Sequence, residues 1–212
     1  MAELVHEISG AVGPLEVLID RPTTEPRAAV VFAHPLPTEG GTMHTKVVFQ
    51  ASKALSRIGC IVLRFNFRGV GRSAGEWDNG AGEMDDYRAA VNYMAVEYPG
   101  LEMWSAGFSF GSYIASVAGA QDDRICALLM IAPPVHKYDF GPVKSSPKPK
   151  FVVHGESDEL IPMKMVREFY AQLHEPKEIV EIDRANHLFD GQASEVGDAL
   201  EELLGDFSCK TQ

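Results

Sequence analysis

From residue 28 onward the chain alternates between short runs that are almost wholly apolar and longer stretches in which apolar residues recur every three or four positions. Ala28-Ala-Val-Val-Phe-Ala33, Cys60-Ile-Val-Leu-Arg-Phe-Asn-Phe67, Ile125-Cys-Ala-Leu-Leu-Met-Ile-Ala132 and Phe151-Val-Val-His154 are of the first kind. A strand apolar at consecutive positions is covered on both faces, so these read as buried strands. Glu178 to Asp183 reads as a further strand. Helical spacing appears in Val47, Ala51, Ala54, Leu55 and Ile58, in Tyr87, Ala90, Val91, Met94 and Tyr98, from Pro162 to Leu173, and in Val196, Ala199, Leu200, Leu203, Leu204 and Phe207. Ahead of them, Leu4 to Ile8 and Leu15 to Ile19 flank a Gly/Pro turn and predict an antiparallel pair. Val135 to Pro149 holds Pro and Lys without period and reads as a loop.

Strands alternating with helices predict an α/β fold: a mostly parallel central sheet with helices on both faces, joined by right-handed crossovers, with the first two strands as an antiparallel edge. Neither a repeat nor a linker interrupts the pattern, so residues 1–212 are expected to form a single domain. In such sheets reactive groups gather at the carboxyl ends of the strands, which directs attention to the loops there.

Composition narrows the function. Hydrophobic residues at 45% and charged residues at 23% suit a soluble globular protein, and a net charge of -11 speaks against nucleic acid as a partner. The N-terminal residues lack the apolar core of a signal peptide, and no stretch suits a membrane span, so a cytoplasmic location is expected. Cys60, Cys126 and Cys209 are scattered. The first two sit at or in apolar runs, as buried thiols in a reducing compartment would, and no metal-ligand spacing appears.

One stretch carries the chemistry. Leu101 to Phe108 is a short apolar run, Gly107-Phe-Ser-Phe-Gly111 follows, and a helix of very small residues comes after. Strand, sharp turn and helix place Ser109 where a nucleophilic serine is held. Gly107 and Gly111 let the turn close without a Cβ clash. The same G-x-S-x-G spacing recurs as Gly71-Arg-Ser-Ala-Gly75, but Ser73 lies among turn residues with no helix behind it and reads as a loop serine.

A serine needs a base, and the base a third group to orient it. Asp158 follows the Phe151 strand in His154-Gly-Glu-Ser-Asp158, and His187 follows the Glu178 strand in Ala185-Asn-His187. Asp158 also suits a helix N-terminal carboxylate, and Glu156 is an alternative acid. His34 and His154 read as loop-fixing residues. Lys137, Lys144, Lys148 and Lys150 suit a solvated loop or an acidic substrate. Met43, Val135, Leu160, Ile161, Leu188 and Phe189 suit either an acyl pocket or core.

With Ser109, Asp158 and His187 in that order, and with His34-Pro-Leu-Pro37 and Arg68-Gly-Val-Gly-Arg-Ser73 as matching loops, the chain resembles the α/β-hydrolase superfamily over nearly its whole length. It is most similar to the small cap-less carboxylesterases and the serine relatives of dienelactone hydrolases. The resemblance implies an acyl-enzyme mechanism on a small acyl ester, without cofactor or metal. The oxyanion donors would be the Phe110 amide and, by elimination between Pro35 and Pro37 as well as by resemblance, that of Leu36. A thioesterase would use the same groups, and a binding protein on the same scaffold is the alternative of another class.

Overall fold

The computed structural model describes residues 6–211. Eight strands form one sheet in the order β1-β2-β4-β3-β5-β6-β7-β8. They are β1 (His6–Gly10), β2 (Gly13–Asp20), β3 (Ala28–Ala33), β4 (Cys60–Phe65), β5 (Glu102–Phe108), β6 (Ile125–Ile131), β7 (Lys150–Gly155) and β8 (Lys177–Ile182). β1 and β2 are antiparallel to each other and β2 to β4; every other pairing is parallel. The expected edge is present, although Leu4 and Val5 lie outside the described residues.

The helices are α1 (Lys46–Arg57), α2 (Ala81–Glu97), α3 (Phe110–Gln121), α4 (Gly141–Ser145), α5 (Met163–Gln172) and α6 (Ala193–Leu204). Along β3, Ala28, Val30 and Phe32 pack into one apolar cluster with Val47 and Val48 of α1 and Val196 and Leu200 of α6. Ala29, Val31 and Ala33 point the other way, into a cluster with Tyr87 and Met94 of α2, Ile114 of α3 and Phe169 of α5. Side chains on a strand alternate between faces, so an unbroken apolar run is what a strand between two helical layers requires.

Two elements depart from expectation. α4 forms inside the segment read as a plain loop, and the charges there are not all solvated. Lys148 donates to the Gly119 and Asp122 carbonyls at the end of α3 (2.7 and 2.6 Å). Lys150 is buried and donates to the carbonyls of Ser146, Lys148 and His174. Neither lysine is therefore a solvated loop group. Burial lowers the Lys150 amine to about 8.

The cysteines need a second correction. Cys60 is a buried free thiol as expected, but Cys126 is bonded to Cys209, 83 residues away. The tail after α6 folds back beneath β5 and β6, where Glu102 accepts from Ser208 Oγ and from the Cys209 and Lys210 amides.

The order in which the chain lays down the parallel strands reverses at β3: β4 lies on one side of it and β5 on the other. β4 also buries a charge. Arg64 donates to Asp20 Oδ2 of β2 (2.7 Å) and to the Met43 carbonyl (2.7 Å), while Lys53 of α1 meets Asp20 Oδ1. Breaking a buried pair leaves the survivor uncompensated, so Asp20→Ala is expected to cost about 3–5 kcal/mol in urea unfolding. Replacing the pair as Asp20→Leu with Arg64→Met should recover much of that loss.

Candidate active site

Ser109 joins β5 directly to α3 with φ 51° and ψ −121°, a conformation that costs a non-glycine residue about 1–3 kcal/mol. Its surroundings hold it there: the Ser109 amide donates to Ile131 of the neighbouring strand (2.8 Å), and Ser112 Oγ donates to the Ser109 carbonyl (2.7 Å). A Cβ on Gly107 would strike the Gly111 carbonyl, and one on Gly111 would strike the Ala33 and His34 carbonyls. The first turn of α3 thus sits directly against the end of β3, which explains Gly111, and against the end of β5, which explains Gly107.

The residues expected to work together do meet. Ser109 Oγ lies 3.0 Å from His187 Nε2, and His187 Nδ1 lies 2.7 Å from Asp158 Oδ2. Asp158 Oδ1 accepts the Leu160 and Ile161 amides (2.9 and 2.8 Å). Burial alone would push the Asp158 carboxyl up. The His187 hydrogen bond, the Ile161 amide and the imidazoles of His187 and His154 prevail and hold it below the usual carboxylate range. A carboxylate accepts only, so His187 carries its proton on Nδ1 and turns the Nε2 lone pair to Ser109. Glu156, the alternative acid, is exposed, and its amide pairs with Ile182.

Phe108, just before Ser109, packs its ring 5.6 Å from that of His187, a contact that sequence spacing did not reveal. Asn186 and Asp190 tie the turn after His187 reciprocally, Nδ2 to Oδ2 at 2.9 Å and amide to Oδ1 at 3.0 Å. The Asn-His-x-x-Asp spacing was the available signal.

The loop after β3 lies beside the elbow because β3 pairs with β5, Ala33 opposite Gly107. Leu36 there is half-buried, and its carbonyl accepts the Glu39 and Gly41 amides. Among the described residues, neither the Leu36 nor the Phe110 amide appears as a donor in the turn, cap or side-chain hydrogen bonds. His34 anchors the loop: its Nδ1 reaches the Pro35 carbonyl at 2.6 Å and its Nε2 accepts the Phe67 amide at 3.1 Å. Pro35 offers only an acceptor, so the proton is on Nδ1 and the ring is neutral; burial lowers its pKa to about 4.

Other candidates lie elsewhere. Ser73 Oγ is committed to structure, donating to the Asn66 carbonyl (2.6 Å) and accepting the Glu16 amide (2.9 Å). Met43, Ile161 and Phe189 are buried in the core, whereas Leu160 and Leu188 are exposed beside the Asp158 and His187 loops. Val135 lines a cavity of about 420 Å³ between α4 and α5, with Tyr138, Phe140, Lys144, Phe169 and Gln172. None of Ser109, His187 and Asp158 is in its wall. Among the described residues, the group that could offer three metal donors is Glu102, Cys126 and Cys209, whose sulfurs are joined to each other.

A sheet whose strand order reverses at β3, with a strained serine beside the reversal and an imidazole and carboxylate on later loops, has the form of a serine hydrolase. Comparison with known proteins gives the family. The family described as serine aminopeptidase, S33, matches residues 24–145. An α/β serine hydrolase homologue from Coxiella burnetii superposes with a TM-score of 0.92 at 38% identity, covering 96% of this chain and 98% of its own. A lid-less α/β serine hydrolase from Xanthomonas campestris superposes at 0.87 with 36% identity, covering 94% and 92%. An uncharacterized protein of Rickettsia prowazekii is 36% identical over 191 residues, 85% of this chain and 80% of that protein. The chain belongs to the α/β-hydrolase superfamily and has the fold of its lid-less members. No described helix is long and apolar enough to cross a membrane.

The anchoring histidine makes stability depend on pH. Folded, the His34 ring stays neutral down to about 4, whereas in the unfolded chain it protonates below its ordinary 6.5. The unfolded state therefore binds more protons within that window, and stability falls as pH falls through it. Urea unfolding at the two ends should show His34 contributing a loss of about 3 kcal/mol. His34→Gln, which does not titrate, should flatten that part of the profile.

Proposed function

We propose that this protein is a serine esterase that cleaves small carboxylic esters through an acyl-enzyme. His187 Nε2 takes the Ser109 proton as Oγ attacks the carbonyl carbon. The Leu36 and Phe110 amides donate to the oxyanion, and Asp158 steadies the imidazolium. His187 then protonates the leaving alcohol. In the second half it takes a proton from water, which attacks the acyl carbon and returns Ser109 free. The carrying observation is the unbroken run from Ser109 Oγ through His187 to Asp158, at 3.0 and 2.7 Å.

Further features support the ester reading. The segment between β6 and β7 contains α4 but no inserted cap. Leu160 and Leu188 stand exposed beside the loops of the acid and the base, as an open apolar rim for short acyl or alkyl groups. Leu36 is the residue between two prolines that still has an N–H to offer.

Intact mass after treatment with a fluorophosphonate should show one adduct, on wild type and on Ser73→Ala but not on Ser109→Ala. Aryl esters of graded chain length, run beside matching thioesters, should be cleaved best when short and oxygen-linked. A folded wild type that takes no adduct and leaves every ester intact would overturn the reading. A second expectation isolates the oxyanion donor. Replacing the residue 36 amide by a backbone ester should cost on the order of 10²–10³ in kcat, whereas Leu36→Ala, which keeps the N–H, should alter mainly acyl fit.

A further inference from the structure

We infer that His154, at the end of β7, is a positioning residue for the acid–base pair: its imidazole locks the turn from Asp158 to Ile161 so that Asp158 Oδ2 stays aimed at His187. The inference deepens the proposed esterase reading and rests on it for its kinetic consequence.

Ile161 is held at both backbone groups. Its amide donates to Asp158 Oδ1 (2.8 Å), and its carbonyl lies 2.8 Å from His154 Nε2. Because that carbonyl can only accept, the His154 proton is on Nε2, and the same edge of the ring lies 3.6 Å from Asp158 Oδ2. Asp158 Oδ2 is thus within reach of two imidazoles, His187 bonded and His154 in electrostatic contact. His154 is wholly buried, and its Nδ1 has no hydrogen-bond partner among the described residues. The charged and titratable groups facing the ring are Asp158, His187 and Glu181, its register partner on β8, which pairs with Arg167 of α5. Burial lowers the His154 pKa, so the ring remains a neutral donor. The backbone beneath is equally constrained: a Cβ on Gly155 would strike the Ala185 carbonyl in the loop that carries His187. The acid's loop and the base's loop are therefore packed into one unit with His154 inside it.

The test compares His154→Leu, which removes the donor, with His154→Gln, which keeps one. In each, the downfield proton resonance of His187 Nδ1–H is followed by NMR and assigned by its loss in His187→Gln. In His154→Leu that resonance should move upfield and broaden, and kcat on an aryl ester should fall by about 10–10²-fold with KM little changed. His154→Gln should restore most of both. In an Asp158→Asn background, adding His154→Leu should cost little more. If His154→Leu does not fold, His154→Asn, whose shorter arm withdraws the donor, carries the same comparison. A folded variant without the donor that keeps the wild-type resonance and kcat overturns the inference, as does an equal further loss in the Asp158→Asn background. If wild type cleaves no ester, the esterase reading fails, and the resonance still decides whether His154 holds Asp158 to His187.

Discussion

The first turn of α3 lies hard against the end of β3, leaving no room for a Cβ on Gly111 beside the carbonyls of Ala33 and His34. This approach occurs where the strand order reverses, so the loop after β3 and the elbow after β5 are neighbours by topology. The rest of the site follows. Ser109 is forced to a positive φ because the chain must leave β5 and enter α3 within one residue. The Leu36 loop lies beside it because β3 and β5 pair in register.

The partners of His34, His154 and His187 separate their roles. His34 and His154 are fully buried, each facing a backbone carbonyl, and burial keeps both neutral. They hold loops. His187 faces a carboxylate on one nitrogen and a hydroxyl on the other, an arrangement that can take up a proton and release it. Buried cations elsewhere obey the same rule: Arg64 and Arg68 are matched by Asp20 and Asp86, and Lys150 by three carbonyls.

The strands and their layers were legible because burial on both faces leaves an unbroken apolar run. The grouping of Ser109, Asp158 and His187 was legible because they stand just past strand ends, where a parallel sheet collects loops. What escaped depends on pairing across long separations. Arg64 inside an apolar run gave no hint of Asp20, because the partner comes from the antiparallel edge. Lys148 and Lys150 looked like loop charges, since a lysine that caps carbonyls has no signature of its own. Cys126 read as a thiol because the landing place of the tail is set by Glu102 and by Phe207 packing on Trp104, neither of which has a spacing to read. Between Ser109 and Ser73, one hydroxyl faces an imidazole and the other is tied into backbone; local context separated them because only one precedes a helix.

The Ser109 to His187 contact also spans regions of unequal solidity. Ser109 directly follows β5 in the middle of the sheet, a strand flanked by paired strands and covered by α3. His187 follows β8, an edge strand with a single neighbour and only one buried residue, Ile182. Regions with fewer buried contacts open at lower free energy than the centre of a core. Partial opening of the β8 edge would carry His187 away while the elbow and the loop after β3 stayed folded. Ser109 would then lose its imidazole partner through a subglobal fluctuation before the protein melts, while the elbow kept its shape.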